Sequence, residues 1–263
     1  MMCSALSLRI RVAGVPVAGI LAMLSAGAYA QESVSGGGAG RAVSIVPRVS
    51  FTETLTDNVR LTNAGQQSEQ ITAISPGIRI NIEGARVKGY FDYALNQIFY
   101  AQGSSPSQSQ NALNTFGTLE AVDNWAFVDF SGSISQQAVS AFGAQSIDNS
   151  SVNANRAEVS SYRISPYVRG RLGDLVSYDA RYSRAVTSSD AAGKSSVKTA
   201  DGIANFRGDS AFRNLGWSAD FSQQRVDFYA GRPTEADRLN LGLSYSITPQ
   251  LSVSVNAGRE ANN

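Results

Sequence analysis

The chain lacks the residues on which most protein chemistry relies. Its 263 residues include no histidine and a single cysteine, Cys3. Without histidine there is no Ser-His-Asp relay, no imidazole base and no histidine metal ligand. Carboxylate pairs of the kind that flank a glycosidic bond remain open in principle. Glu120 and Asp129 fall on neighbouring predicted strands, but a near-neutral polar wall holds many such groups. Ala192-Gly193-Lys194-Ser195-Ser196 resembles the end of a phosphate loop. That loop needs a glycine where Ser188 stands, so the match fails. Thr56-Asp57-Asn58 offers too few oxygens for calcium and reads as an Asx turn. These residues point away from catalysis and imply no cofactor and no metal.

The charged residues that do cluster are mostly arginines. Arg163, Arg169, Arg171, Asp179 and Arg181 share the polar side of one predicted hairpin, and Arg79 takes the polar side of an earlier strand. One reading is a solvated ladder of mutually paired charges. The other is an anion-favouring stretch of a pore wall.

The elements that carry these residues alternate with period two, and no segment sustains a helical period. Thr72, Ile74, Pro76, Ile78, Ile80 and Ile82 fall on one side of a strand, and Ala73, Ser75, Gly77, Arg79, Asn81 and Glu83 on the other. Eleven such strands are predicted, near 43–56, 71–83, 86–100, 112–122, 125–136, 157–172, 175–187, 200–212, 215–228, 237–247 and 251–260. Most have the roughly ten residues that cross a bilayer at a tilt. Long polar connections alternate with tight ones such as Gly84-Ala85, Asp123-Asn124 and Gly173-Asp174. A soluble sandwich has short alternating strands too, but no reason to set every tight turn on one side. The expected fold is an all-β, transmembrane, antiparallel up-and-down β-barrel over 43–263, whose charges face inward because each would cost about 2–4 kcal/mol against lipid near the midplane. Trp125, Tyr178, Trp217 and Tyr245 stand near tight turns, as girdle aromatics do. Pro76 and Pro166 each predict a bulge or bend.

Residues 1–30 read as a signal peptide: Arg9 and Arg11, the apolar run Val12 to Leu24, then Ala28-Tyr29-Ala30 before the cut. Residues 31–42 form a Gly/Ser-rich linker. Cys3 leaves with the leader. The mature chain then has 20 basic and 21 acidic residues, which gives no basic excess for a nucleic acid. The expected location is the bacterial outer membrane, with lipid and the barrel-assembly machinery as partners.

Three stretches carry a family resemblance: the first strand running into Thr56-Asp57-Asn58-Val59; Ile74-Ser75-Pro76-Gly77-Ile78 followed by Gly84 and Tyr90-Phe91-Asp92-Tyr93; and the late hairpin Leu241 to Val253 running into Gly258-Arg259-Glu260. Together they resemble the outer-membrane proteins associated with PEP-CTERM/exosortase systems, within a wider β-barrel porin family. The resemblance implies a porin or channel linked to export of exopolysaccharide and surface proteins, and it supplies no catalytic residues. A barrel that does not conduct and binds surface polymer through its outer loops, above all Gln137 to Arg156, is the alternative. Eleven is an odd strand number, and Glu260-Ala261-Asn262-Asn263 lacks a terminal aromatic strand. The expectation is therefore a barrel incomplete at its C-terminus.

Overall fold

The computed structural model describes residues 42–144, 149–152, 155–191, 195–208, 214–248 and 250–263. The expected leader, and the linker up to residue 41, lie outside them.

Eleven strands form one sheet in sequence order, each antiparallel to the last. They are β1 (Val43–Thr56), β2 (Glu69–Glu83), β3 (Val87–Tyr100), β4 (Gln108–Val122), β5 (Ala126–Ala138), β6 (Arg156–Leu172), β7 (Val176–Ser189), β8 (Ser195–Gly208), β9 (Leu215–Phe228), β10 (Thr234–Thr248) and β11 (Leu251–Asn262). Number and order match the sequence expectation. Most strands run further into the long connections than the alternation indicated. Among the described residues no ladder joins β1 to β11, so the sheet stays open at both edges. The bounds of β8 depart from expectation. The strand β8 begins at Ser195, five residues before the expected 200, and its described residues end at Gly208 where 212 was expected.

Register sorts the side chains. Ile45, Ile80, Phe91 and Thr115 lie in one cross-strand row, and Trp217, Leu243 and Val255 in another. All of them belong to one side, termed here the apolar face. Its large side chains are open to the surroundings: Ile45, Phe91, Phe130, Ile164, Phe206, Leu243 and Val255 are all exposed. The opposite, polar face holds nearly every buried strand residue, including Glu69, Ile71, Ile98, Gln110, Phe127, Ser165 and Ser183. Burial is thus concentrated on the polar face, with Thr115 a buried residue of the other.

Charge on the apolar face is graded along the strands. Glu53, Glu158, Arg184, Lys198, Arg225 and Arg259 share that face, all toward the long-connection end. Below Glu53, Lys198 and Arg225 the strand runs ten residues, and below Arg184 and Arg259 eight, which at about 3.3 Å per residue and a 35–45° tilt covers roughly 20–25 Å.

Three glycines on this face, Gly132, Gly170 and Gly208, sit against aromatic rings. A side chain on Gly170 would meet the Tyr178 hydroxyl at 2.7 Å, and one on Gly208 would meet the Trp217 indole at 2.6 Å. Gly132 lies under Tyr162 in the same way. Each ring covers bare backbone that glycine would otherwise leave exposed. The Trp125 indole N–H donates to Tyr178 Oη at 2.8 Å, which ties two of the expected girdle aromatics together.

The two prolines make no bulge. Pro76 pairs with Val49 in unbroken register, and Pro166 pairs with Val128 likewise. On the other side of each proline the ladder lapses at Ser75-Pro76 and at Ser165-Pro166, then resumes in the same register. A proline lacks one donor, and losing that donor interrupts one ladder without inserting a residue. The register shifts fall at Glu120/Val122 and Ser246/Thr248, beside tight turns.

Candidate functional site

The polar face carries the chemistry. Arg79, Arg163, Arg169, Arg171, Asp179 and Arg181 all lie on it, since Arg79 pairs with Asp92, Arg163 with Ala185, Arg169 with Asp179, Arg171 with Ser177 and Arg181 with Tyr167. Arg79 and Arg181 enter two clamps, in each of which one arginine reaches across a whole strand.

In the first clamp Asp92 of β3 takes two arginines. Arg79 of β2 donates Nε–H to Asp92 Oδ2 at 2.8 Å. Arg48 of β1 reaches over β2 and donates from Nη1 to the same oxygen at 3.0 Å. Gly77 leaves the space for this crossing, because a Cβ there would stand 3.1 Å from Arg48 Nε.

In the second clamp Arg181 of β7 reaches over β6 and donates to Asp129 Oδ2 of β5 at 2.8 Å. The Thr118 hydroxyl donates to the other oxygen at 2.8 Å. Beneath the crossing, Ser165 and Ser183 are buried and joined by a 2.8 Å hydrogen bond. Phe127 and Tyr167 stack with ring centroids 5.0 Å apart. Arg169 lies 4.6 Å over Phe127 and Arg181 4.0 Å over Tyr167. Such contacts add about 0.5–2 kcal/mol and fix the plane of the guanidinium.

The two clamps sit on the two copies of one sequence motif, Ile74-Ser75-Pro76-Gly77-Ile78-Arg79 and Ile164-Ser165-Pro166-Tyr167-Val168-Arg169. In each, the Ser-Pro strand is the one crossed, and the ladder lapse lies beside the crossing. A looser pair, Arg163 Nη1 to Asp201 Oδ2 at 3.6 Å, spans β7 in the same manner.

Glu120 and Asp129 do not form a carboxylate pair. Asp129 is held by Arg181 and Thr118. Glu120 turns to the tight turn, where it accepts from the backbone N–H of Asn124. Arg48 was not legible as a site residue, because its carboxylate lies two strands away in space and forty-four positions away in sequence.

At the long-connection end the polar face is capped. Val59 of the first connection is fully buried against Ile71, Ile98 and Tyr100, with Ala73 and Val152 packed on the cluster. The Val152 N–H donates to the Val59 carbonyl at 3.0 Å, and the Tyr100 hydroxyl donates to the Ser150 carbonyl at 2.8 Å. Arg60 Nη2 reaches the Ser104 carbonyl at 2.6 Å. The first, third and fifth connections thus fold inward over β2 to β4. Asn58 shapes the first of them, accepting from the Thr62 N–H at 3.0 Å and donating to the Thr62 carbonyl at 2.7 Å.

Glu69 anchors this cap. It is 2 % exposed. Its carboxylate accepts backbone N–H groups from Gln102 at 2.6 Å, Ser104 at 2.9 Å and Gln70 at 3.1 Å. The group stands beyond the apolar stretch of β2, which runs from Ile74 to Ile82. Burial pushes its pKa up. The adjacent Ser104 hydroxyl and the N–H groups of Gln102, Ser104 and Gln70 outweigh burial, and hold it below the usual glutamate value.

No family model, no curated protein and no solved structure matches this chain.

Proposed function

We propose that this chain is an outer-membrane β-barrel protein, exported through a signal peptide cleaved after Ala30, whose polar face lines a passage for small solutes or polysaccharide. The observation that carries the reading is the sorting of faces. An exposed apolar belt of lipid-compatible height covers one side of the sheet, and the arginine–aspartate clamps occupy the other. A soluble protein rarely leaves an apolar surface of this extent open to water. In lipid the same belt needs no cover, while the half-exposed arginines of the other side would each cost about 2–4 kcal/mol there.

The resemblance to PEP-CTERM/exosortase-associated proteins supports a passage that serves exopolysaccharide and surface-protein export, and it supplies no catalytic residues. A passage needs sealed edges, because unpaired backbone groups cost several kcal/mol each in lipid. β1 and β11 run in the same direction, as first and last of an odd antiparallel series must. A direct seam between them is therefore parallel.

The inward cap of the first, third and fifth connections favours a second reading, a barrel closed at its outer mouth that acts through its loops. Single-channel recording of the full chain in planar bilayers separates the two. Steps of stable conductance support the passage. A folded, heat-modifiable protein that never conducts supports the closed barrel. Fractionation of cells expressing the chain with its leader tests the location, and recovery in the soluble periplasmic fraction would defeat both readings.

A further inference from the structure

We propose that the groove between β5 and β7 on the polar face is a binding subsite for a carboxylate-bearing sugar unit, with Arg163 as the residue that receives the carboxylate. The proposal rests on the passage reading and names its substrate class.

The groove encloses about 200 Å³ and is lined by Phe116, Asp129, Ser131, Arg163 and Arg181 over the Ser165–Ser183 floor. That is below the roughly 300–1,000 Å³ of a drug-sized pocket, and suits one ring-sized unit of a longer chain. The two arginines are unlike. Arg181 is committed: Asp129 takes Nη1, Tyr167 lies against its face, and the side chain is 33 % exposed. Arg163 is not. Its side chain is 48 % exposed, and its one ion-pair approach among the described residues, to Asp201, is 3.6 Å long. Asp201 is in turn engaged by Gln224 Nε2 at 3.0 Å. A guanidinium has five donors in a planar fork, and its matching acceptor is a carboxylate held by two parallel hydrogen bonds.

The surroundings favour a sugar over a bare anion. The buried serine pair forms a small, flat floor where larger side chains would fill the groove. Phe116 gives an exposed ring at one side for the apolar face of a pyranose. Asp129 has both oxygens engaged, by Thr118 and Arg181, so its charge is largely satisfied and opposes an incoming carboxylate little.

Isothermal titration of the full chain in detergent micelles with trigalacturonate, maltotriose and inorganic phosphate tests this. Trigalacturonate is expected to bind, more weakly as salt rises. Arg163→Gln is expected to lower its affinity tenfold or more, as the loss of a charge-assisted pair does, and Arg163→Lys to lower it less. Arg225→Gln, on the other face and paired with Glu235, is expected to leave it unchanged. Among the described residues Arg163 makes no hydrogen bond to lose, so the Arg163→Gln protein should fold, which heat-modifiable mobility checks. Equal binding of maltotriose, phosphate binding as tight as trigalacturonate, or no saccharide binding would each overturn the proposal. Conductance of the same preparation is read separately. Conductance without binding removes the subsite alone, and binding without conductance removes the passage alone.

Discussion

Asp92 holds arginines from two strands, and its replacement is the simplest test of the clamps. Asp92→Ala leaves Arg48 and Arg79 sharing one face without their anion. Both guanidiniums are about half exposed, so solvent screening limits the cost to about 1 kcal/mol, read as a lower urea midpoint for unfolding from lipid vesicles. Gly89 is a harsher position. A Cβ there would meet the Phe116 carbonyl oxygen at 2.3 Å and Gly117 Cα at 2.7 Å. Both are backbone atoms that cannot swing aside. Gly89→Ala must push β3 and β4 apart and is expected to cost about 1–3 kcal/mol in the same measurement. Neither position was readable for these roles in the sequence. Period two gives the face a residue takes, and it placed Arg79, Arg163, Arg169, Arg171, Asp179 and Arg181 together. It does not give the partner two strands away, because that depends on register between strands and on which side chain in the crossed strand is small.

Among the elements, the cap differs most from the sequence expectation. Ile71, Ile98 and Tyr100 are apolar residues on the polar face. The run Ile98-Phe99-Tyr100 is apolar on both sides of β3, and only its Ile98 and Tyr100 side is buried, under the cap. That signal was present but short, and loops that read as polar gave no hint that Val59 and Val152 would return to cover it. The strand interiors were legible because their alternation is long and regular. Their outer ends were not, because polar residues of the long connections pair as readily as loop residues do. The Glu69 anchor carries a pH prediction. Its pKa is lowered in the folded protein, so its stabilisation is fully present above the ordinary glutamate value of about 4.3, and is lost as pH falls through the lowered value. The protection of the Gln102 and Ser104 amides, their exchange rates referred to the intrinsic rate at each pH, should fall on acidification through that range. Glu69→Ala, which strands the same N–H groups, should give fast exchange already at neutral pH, with a local cost of about 1–3 kcal/mol. Unchanged protection in that variant would show that the cap stands on its apolar cluster alone.

For the whole molecule, the account turns on which side of the sheet meets lipid. A charge placed in the belt should be costly and one placed on the other side should not. Leu243→Arg is expected to lose about 2–4 kcal/mol in vesicle unfolding, and Ser244→Arg, one position on and facing the other way, far less. One residue of slip would exchange every side chain between the faces, so site-specific labelling is the most direct test. In a Cys3→Ser background the chain has no other cysteine. Single cysteine substitutions at Ile80, Leu243 and Arg169 would be treated in lipid vesicles with a water-soluble, membrane-impermeant maleimide. Labelling is expected at position 169, with protection at 80 and 243 until detergent is added. Labelling at 80 and 243 with protection at 169 would contradict the proposed facing.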